Sequence, residues 1–560
     1  MLNLPKSDAR RSSDRSVFRW ILLPGCLLVV SSERVLLAAQ EPAQTKQIRS
    51  SSATQPASPR LKKVPVPKRD PADQPFRLAA MAESTRSIAI PLATNLHLAF
   101  DTQLLRTHTV WAGPSLSLFG TPFLGSKTPF LSTHDGPTLW STPPISAWSV
   151  LAPSTNLERS LPTGSDFKGI STAGGIVKLM YDVAFGDGKK IRVRESPSAM
   201  PGNDGALGVV RRLEIAPASS DLWFLAHAEM DVKAPQALAG QSLTLQRSND
   251  TLVVHALGSQ ELTWQITEAE VSHTEELNAE RAGESVVERR SVSGKQTRAY
   301  LRIPAHGQPV IVEISSAVCG TLEQARRVIA ELEAASAERA RDGFPVRSLP
   351  HLQARQPKVT GGDKLAVRLA GGDDHYRIEH FPLPREIGLM VTGMDWVSQD
   401  ELAVSTWSGE IYIVEKATGA VEAARYRRFA SGLNEPLGLK VIEGQIYVTQ
   451  KPELTRIVDT DGNGEADLFE TINNDWGYSG NYHAFAFGPV LDPENNFYAF
   501  LCGQRGRWDV PYVGWCVKIS ADGGKLEGFC SGLRAPNGFG TYGPGNDLFI
   551  ADNQGNWVGT

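Results

Sequence analysis

A nine-residue motif that occurs twice constrains the fold of this chain most strongly. SGLNEPLGL begins at Ser431, and SGLRAPNGF begins one hundred residues later at Ser531. Apolar segments recur at spacings of 43, 48 and 52 residues, centred near Trp396, Leu439, Phe487 and Phe539. Repeats of this length, each with several short strands, are typical of β-propeller blades. Residues 375–560 are therefore predicted to form part of a β-propeller.

The propeller predicted from these repeats is incomplete. About four repeat starts are visible before Thr560, and the last repeat is unfinished. A propeller removes its exposed sheet edges by closing into a ring, so this number of blades is too small for closure. We therefore expect that the chain is truncated at its C-terminus or that its remaining blades come from elsewhere.

The chain before the repeats is predicted to form a second all-β domain. Between residues 76 and 320, short apolar runs alternate with Gly, Pro, Ser and Asn, which indicates many short strands in a sandwich-like fold. Thr321 and Gln324 form a capping box, which predicts a connecting helix over 321–343 and then a linker over 344–374. The predicted fold class is mainly β: a sandwich-like domain, a connecting helix and an incomplete six-bladed propeller.

The first 75 residues carry an export signal and a tether. Four arginines precede the apolar run WILLPGCLLVV, so residues 1–40 are predicted to be a secretory signal or, alternatively, an uncleaved membrane anchor. LPGC, which ends at Cys26, weakly resembles a lipoprotein box. Residues 41–75 are rich in Pro, Ser, Gln and Lys, which predicts a disordered basic linker. These features predict a periplasmic or extracellular protein, with membrane association through the N-terminus as one option.

Net charge and the spacing of cysteines and histidines limit the partners and cofactors that this chain is expected to bind. The net charge is −4, and no basic stripe interleaved with aromatic residues follows the N-terminal region, so a nucleic-acid partner is not expected. The five cysteines form no CxxC or CxxCH motif. Cys516 and Cys530 flank the turn ADGG, and the sequence leaves open a cross-strand disulfide or two buried free thiols. Five histidines of the front region lack ligand spacing and are predicted to be core or surface residues: His108, His134, His227, His255 and His273.

Residues 459–470, DTDGNGEADLFE, match the pattern of a calcium-binding loop. Oxygen-bearing side chains occupy the first, third and fifth places, glycine the sixth, and carboxylates the ninth and twelfth. The candidate ligands are Asp459, Asp461, Asn463, Glu465, Asp467 and Glu470. The flanking sequences resemble strands, so the loop is not an EF-hand, which needs two helices. The sequence predicts a structural calcium clamp between strands; the alternative is a polar Asp/Gly turn.

The repeat region resembles the six-bladed propeller of soluble quinoprotein glucose/sorbosone dehydrogenases. The resemblance covers about residues 380–560 and rests on GNYHAFAFGPVLDPENNFYAFLCG and on SGLRAPNGF followed by NDLFIADNQGNW. The order of export signal, β-rich domain and propeller is similar to that of the membrane-bound dehydrogenase family, which often continues into helical and cytochrome c domains. The resemblance implies pyrroloquinoline quinone as cofactor, a sugar or alcohol substrate, and a cytochrome c as electron acceptor. Haem c is expected only beyond residue 560.

The resemblance also implies site residues. His483 would be the general base that removes a hydroxyl proton while a hydride passes to the quinone, a role suited to imidazole. Arg534 would pair with an anionic group of the quinone, and Asn553 would lie near the calcium that bridges to it. Tyr482 stands where the family prefers an acid, and an Asn-Gln-Gly sequence from Asn553 replaces the expected Gly-Pro ligands. Alternatively, His483 is a structural residue at a strand start, and Arg534 caps a loop by bonding carbonyls.

Two functions of different classes follow from the sequence. The first is an exported quinoprotein-like dehydrogenase that oxidises a sugar or another alcohol and carries calcium in a structural loop. The second is a non-catalytic, calcium-stabilised propeller that binds carbohydrate or protein. A lactonase-like hydrolase is less well supported, because the sequence lacks convergent acidic residues.

Overall fold

The computed structural model describes residues 76–77, 80–81, 84–113, 115–117, 131–153, 164–185, 188–200, 206–230, 232–237, 241–281, 284–353, 359–360, 379–384, 387–481, 483–503 and 510–553. The predicted signal and linker, residues 1–75, lie outside the described residues. Within the described part of the chain, no helix is both long and apolar enough to cross a membrane. The described residues divide into two compact units, the smaller of which contains residues 537–551.

Strands dominate the front region of the larger unit. They are β1 Phe76–Arg77, β2 Ala80–Met81, β3 Ser87–Ala93, β4 Leu96–Asp101, β5 Arg106–Ala112, β6 Ser115–Ser117, β7 Leu131–Asp135, β8 Thr138–Ser141, β9 Trp148–Ser149, β10 Gly164–Ser171, β11 Lys178–Ala184, β12 Lys190–Ala199, β13 Leu207–Ile215, β14 Leu222–Met230, β15 Ala234–Ala237, β16 Ser242–Gln246, β17 Thr251–Gly258, β18 Thr263–Arg281, β19 Glu284–Ile303 and β20 Val310–Cys319. A short 3-10 helix, Ala173–Gly175, follows β10.

These strands form several sheets around a common apolar core. One sheet has the order β1-β3-β4-β5-β8, a second has the order β18-β19-β14-β9, and a third joins β2, β7 and β6. Strands β15, β16, β17, β20, β13, β12, β11 and β10 lie side by side in a longer sheet. The largest core cluster contains side chains from several of these sheets, such as Leu98, Phe224 and Val254. The apolar runs seen in the sequence thus correspond to paired strands, and the apolar side chains of different sheets pack together in the core.

A helix follows the front strands. Helix α1, Leu322–Asp342, begins at Thr321, whose hydroxyl accepts the N–H of Gln324 at 3.1 Å. It ends at Gly343, whose φ of +84° suits glycine. Its apolar face packs on β17 and β20, and the short helix α2, Pro350–Gln353, comes next. Strand β21, Val359–Thr360, pairs with a strand of the repeat region.

The repeat region consists of short antiparallel strands. They are β22 Val391–Trp396, β23 Glu401–Thr406, β24 Ile411–Glu415, β25 Arg425–Ala430, β26 Leu439–Ile442, β27 Gln445–Gln450, β28 Glu453–Val458, β29 Leu468–Asn473, β30 Ala486–Leu491, β31 Phe497–Leu501, β32 Trp515–Ile519, β33 Leu526–Ser531, β34 Pro536–Tyr542 and β35 Asp547–Asp552. A 3-10 helix, Val421–Ala423, precedes β25.

These strands have a propeller-like arrangement. β22–β25, β26–β29 and β30–β33 are three successive groups of four antiparallel strands, each paired in sequence order. β34 and β35 pair with each other and belong mainly to the smaller unit. The repeat spacing therefore corresponds to one four-stranded sheet per repeat, which is the construction of a propeller blade.

Two of the four predicted repeat centres are core residues, whereas Phe539 is partly exposed and Trp396 is exposed. Leu439 and Phe487 are each 7% exposed, whereas Trp396 is 48% exposed. Trp396 lies on β22, which among the described strands is the last of its sheet and has a neighbour on one side only. An edge strand leaves part of its surface uncovered, so an aromatic residue in the repeat pattern did not identify a buried position here.

The front region and the second blade share one continuous sheet. β10 pairs antiparallel with β29, the outer strand of that blade, through Gly169, Ile170 and Ser171. The combined sheet runs from β15 to β26 and contains twelve strands in the described chain. Arg86 reinforces this junction, because its guanidinium donates to the carbonyl of Asn474 at 2.7 Å and to that of Trp476. The front region thus holds the segment that follows β29.

Three histidines of the front region are buried, as the sequence analysis expects of core residues. His108, His227 and His255 are each 5% exposed or less. His227 shares a 2.7 Å hydrogen bond with the Ser316 hydroxyl, and burial, with a smaller effect of nearby arginines, lowers its pKa to about 3. His255 lies between the hydroxyls of Ser242 and Ser336, and burial lowers its pKa to about 4. Both side chains are therefore neutral in the folded protein at neutral pH.

The buried neutral histidine predicts acid sensitivity. The pKa of His227 is lower in the folded than in the unfolded chain. The contribution of this residue to the free energy of unfolding is therefore fully present above about pH 6.5 and is lost as the pH falls below that value. At pH 5 this effect lowers the free energy of unfolding by about 2 kcal/mol. We expect His227→Gln to flatten the dependence of the denaturation midpoint on pH between 7 and 5. The exposed His380 supplies the control His380→Gln, and equal slopes in both variants would contradict the assignment.

Candidate functional site at one end of the blades

The antiparallel strands place all connecting segments at two opposite ends of the blades. The described residues at the site end include the turns 407–410 and 451–452, the segments 502–503 and 510–514, and the connections 431–438, 474–481 with 483–485, and 532–535. The loop end carries the remaining connections, among them residues 459–467 between β28 and β29. His483, Arg534 and Asn553 lie at the site end, and the predicted calcium loop lies at the loop end. The topology therefore separates the two sets of predicted residues.

His483 lies in the connection that leads into β30. The Asn481 side chain accepts the backbone N–H of His483 at 2.9 Å, and the Asn481 carbonyl accepts the N–H of Ala484 at 3.0 Å. This Asx-type turn sets the backbone of His483 just before the strand begins. His483 is partly exposed, and Phe485, two residues later, packs edge-on against Trp407 with ring centroids 6.1 Å apart.

The dipeptide Cys502–Gly503 joins the segments that carry His483 and Arg534. The N–H of Cys502 donates to the Phe485 carbonyl at 2.9 Å, and the N–H of Gly503 donates to the Arg534 carbonyl at 2.9 Å. Gly514 completes the arrangement, because its carbonyl accepts the N–H of Leu533 at 3.0 Å. Two residues separated by 51 positions are thus held on neighbouring segments by one short piece of backbone.

Arg534 and Asn553 are in direct contact. The Arg534 guanidinium donates through Nη1 to the Asn553 carbonyl at 3.2 Å, and the Asp552 carboxylate accepts the backbone N–H of Arg534 at 2.9 Å. The same carboxylate accepts the N–H of Ala535 at 2.6 Å. Arg534 is exposed to solvent. Its contact with a carbonyl is the loop-capping role considered above as the alternative to cofactor binding.

The two copies of the repeated motif use similar backbone contacts. In the first copy, the N–H of Asn434 donates to the Gln450 side chain at 2.7 Å. In the second copy, the N–H of Arg534 donates in the same way to Asp552 at 2.9 Å. Each contact connects the segment after one blade to the end of the second strand of the next blade. The motif is therefore a structural repeat in its backbone contacts, but Asn434 is buried whereas Arg534 is exposed.

A buried ion pair at the site end was missed by the sequence analysis. The Lys451 ammonium lies 3.0 Å from the Glu435 carboxylate, with side chains 3% and 6% exposed. The Trp407 indole N–H donates to the other Glu435 oxygen at 2.8 Å, and Lys451 lies 4.9 Å from the centre of the Phe485 ring. The available signal was an acidic residue inside the first copy of the repeated motif and a lysine directly after a strand. Through Trp407 and Phe485, the pair is in contact with each of the three four-stranded blades, β22–β25, β26–β29 and β30–β33.

Burial keeps the Cys502 thiol and the Tyr478 hydroxyl at this end in their protonated, unreactive forms. Burial raises the pKa of the Cys502 thiol to about 12, with Asp552 adding to the effect. Burial also raises the pKa of Tyr478, and Glu435 contributes to the increase. Both groups therefore remain protonated at neutral pH, and neither is a candidate nucleophile or base. The type of His483, in contrast, suits general-base chemistry.

The predicted calcium loop joins two strands, as its flanking sequence indicated. The Asp459 carboxylate accepts the N–H groups of Gly462 at 2.8 Å and Gly464 at 2.8 Å. Gly462 and Gly464 have φ angles of +72° and +92°, so the turn requires glycine at both places. Asp467 accepts the N–H and hydroxyl of Thr460 at 2.9 and 2.6 Å. These bonds hold the loop in a compact turn.

The remaining candidate ligands divide between the loop and the following strand. Asp461 and Asn463 share a 3.1 Å hydrogen bond between their side chains, and Glu465 lies 3.9 Å from Arg428. Glu470 lies within β29 and pairs with Arg456 on the neighbouring strand. Among the described residues, no three His, Cys, Asp or Glu side chains are grouped as a metal site.

The donor types still suit a hard cation. Asp461, Asn463, Glu465 and Asp467 line a cavity of about 350 Å³ together with the turn 172–175 of the front region. Oxygen donors of this kind are the ligands that Ca²⁺ prefers. An ion here would lie at the junction between the front region and the second blade, since the Asp467 carbonyl accepts the N–H of Thr172 at 2.7 Å. The residues fit calcium in chemistry, with Glu470 outside the set.

The described residues fit one carboxylate of pyrroloquinoline quinone. The exposed guanidinium of Arg534 can take a carboxylate with the N–H groups that do not contact Asn553. Lys451, in contrast, is already paired with Glu435. Arg534 is thus the residue that would hold the cofactor.

Comparisons with known proteins do not assign this chain to a family. No family model matches the chain, and no curated protein matches it. Among solved structures, a mutant of the heparan sulfate lyase HepC from Pedobacter heparinus aligns at 8% identity and a TM-score of 0.24, over 60% of this chain and 43% of that one. A 4-alpha-glucanotransferase from Thermococcus litoralis aligns at 7% identity and a TM-score of 0.23, over 41% of this chain and 37% of that one. This chain thus spans less than half the length of either protein, and similarity this weak carries no functional argument.

Proposed function

We propose that this protein is an exported quinoprotein-like dehydrogenase that oxidises a hydroxyl group of a sugar or another alcohol. The observation that supports the proposal is the Cys502–Gly503 dipeptide, which bonds to the His483 segment and to Arg534 at 2.9 Å each. A base and a cation are thereby kept at the same end of the blades, which is the requirement for removing a proton beside a bound anionic cofactor.

In this proposal each residue has a separate task. The His483 imidazole accepts the hydroxyl proton of the substrate, and the Asn481 turn fixes its backbone. Arg534 binds one carboxylate of the cofactor, and its contact with the Asn553 carbonyl orients the guanidinium. Pyrroloquinoline quinone, when bound, would supply a two-electron acceptor. Calcium in the 459–467 loop has a structural task at the other end of the second blade. A cytochrome c is the proposed acceptor of the electrons.

Dye reduction tests the proposed activity. The full chain is incubated with pyrroloquinoline quinone and Ca²⁺, and reduction of a redox dye is followed with a panel of aldoses and simple alcohols. We expect His483→Ala to lower kcat by a factor of about 10² to 10⁴, because a general base contributes this much to the rate. Quinone affinity should be unchanged in this variant, which separates loss of a base from loss of the site. The exposed His380 supplies the control His380→Ala. Activity that survives His483→Ala would exclude the proposed role.

One observation favours a second candidate, a calcium-stabilised propeller that binds carbohydrate or protein without catalysis. The Lys451 ammonium is neutralised by Glu435, and the Asp552 carboxylate lies beside the Arg534 backbone, whose N–H it accepts. A site without excess positive charge attracts a ligand with three carboxylates less strongly than a site with an excess of cations. This candidate predicts that Ca²⁺, but not Mg²⁺, raises the melting temperature, and that the quinone does not bind. Quinone binding with dye reduction would reject it.

A further inference from the structure

Two cysteines of the third blade face each other on neighbouring strands. Cys516 on β32 and Cys530 on β33 are direct partners in the antiparallel register. Opposite residues in such a pair have Cα atoms about 4.5–5.5 Å apart, and disulfides need Cα separations of about 4.4–6.8 Å. Both thiols are free in this structure. The strands therefore bring the two sulfur atoms close enough to bond with little movement of the backbone.

We propose that Cys516 and Cys530 form a cross-strand disulfide that fixes the outer edge of the third blade. Within the part of the chain that the structure describes, β33 is the last strand of its sheet, and its side chains are at least partly exposed. Such a strand gains little from burial, so a covalent link to β32 supplies restraint that packing does not. The proposal does not depend on the dehydrogenase function.

The location of the pair gives the bond a consequence for the candidate site. Cys530 precedes Arg534 by four residues, and Cys516 lies on β32, the next strand after the Cys502–Gly503 dipeptide among the described residues. The disulfide would therefore connect the strand that enters the Arg534 segment to the strand that leaves the dipeptide. The position of Arg534 would be restrained from both sides.

The chemistry is thiol–disulfide exchange with an external disulfide as oxidant. Cys530 is partly exposed and Cys516 is fully buried, so Cys530 is the residue that the oxidant reaches. Interaction with the neighbouring Cys516 thiol lowers the pKa of Cys530 and so favours its thiolate. The Cys530 thiolate attacks the oxidant, a mixed disulfide forms, and one thiolate leaves. Cys516 then loses its proton and attacks the Cys530 sulfur, and the second thiolate leaves. The two cysteines lose two electrons, and one external disulfide becomes two thiols.

Mass spectrometry of the full chain tests the proposal. The folded protein is incubated with oxidised and reduced glutathione, free thiols are alkylated, and the digest is searched for linked peptides. We expect a Cys516–Cys530 link that disappears on reduction. It should form roughly tenfold or more faster in the folded chain than in urea, because folding holds the sulfur atoms together.

Matched variants make the result specific. Cys502→Ser should retain the link, since Cys502 has no part in it. Cys530→Ser should abolish the link and leave Cys516 open to alkylation only after unfolding. Two findings would overturn the proposal: stable glutathione on Cys530 without closure, or equal rates of link formation in folded and unfolded chains.

Discussion

Lys451→Met is expected to destabilise the protein by about 3–5 kcal/mol, because it removes the cation paired with a buried carboxylate. Lys451 and Glu435 are 3.0 Å apart, and both side chains are almost completely buried. The Glu435 carboxylate would keep the indole N–H of Trp407 but lose its counter-charge. Chemical denaturation of the full chain measures the loss as a shift in the midpoint.

A double variant separates charge from packing in this experiment. Glu435→Gln combined with Lys451→Met removes both charges and keeps an oxygen acceptor for Trp407, so it should recover most of the lost stability. The exposed pair Lys525 and Glu527 supplies a control, and Lys525→Met should change stability by no more than about 0.5 kcal/mol. A double variant as unstable as Lys451→Met would show that the lysine acts through its packing.

Gly169→Ala is expected to separate β10 from β29. Gly169 has a φ of +142°, and a Cβ atom there would lie 2.3 Å from the carbonyl oxygen of Phe469. Because the obstacle is backbone of the neighbouring strand, the pairing must break or shift, which we expect to cost about 3 kcal/mol or more. Hydrogen exchange of residues 468–473 measures the opening directly.

A nearby glycine provides the matched control for this substitution. Gly174 also has a positive φ, +63°, but a Cβ atom there meets nothing within 4 Å. Gly174→Ala therefore adds only conformational strain, about 1 kcal/mol, and should leave the exchange of β29 unchanged. Equal protection of residues 468–473 in the two variants would contradict the assignment of the β10–β29 pairing.

Local pattern predicted much of the repeat region. The motif at Ser431 and Ser531 and the spacing of apolar segments indicated successive four-stranded sheets, and the strand-like flanks of residues 459–467 indicated a loop between strands. These features are encoded within tens of residues, where turn residues and alternation are informative. The placement of His483, Arg534 and Asn553 at one end follows from the same strand order.

Long-range features could not be read from the sequence. The β10–β29 pairing joins residues about 300 positions apart, and no local pattern announces it. The Lys451–Glu435 pair depends on Glu435 adopting a φ of +46°, which is unusual for a non-glycine residue and has no simple sequence signal. Trp396 fits the repeat pattern, yet its exposure depends on what covers one edge of a sheet.

Calorimetric titration with pyrroloquinoline quinone in saturating Ca²⁺ tests the proposed site most directly. If Arg534 binds a carboxylate of the quinone, the full chain should bind it with defined stoichiometry. Arg534→Met should then weaken binding by about 10- to 100-fold, the value of a hydrogen bond to a charged group. His483→Ala should bind the quinone as the unmodified chain does. Absence of binding, or equal affinity of Arg534→Met and the unmodified chain, would contradict the proposed quinone site.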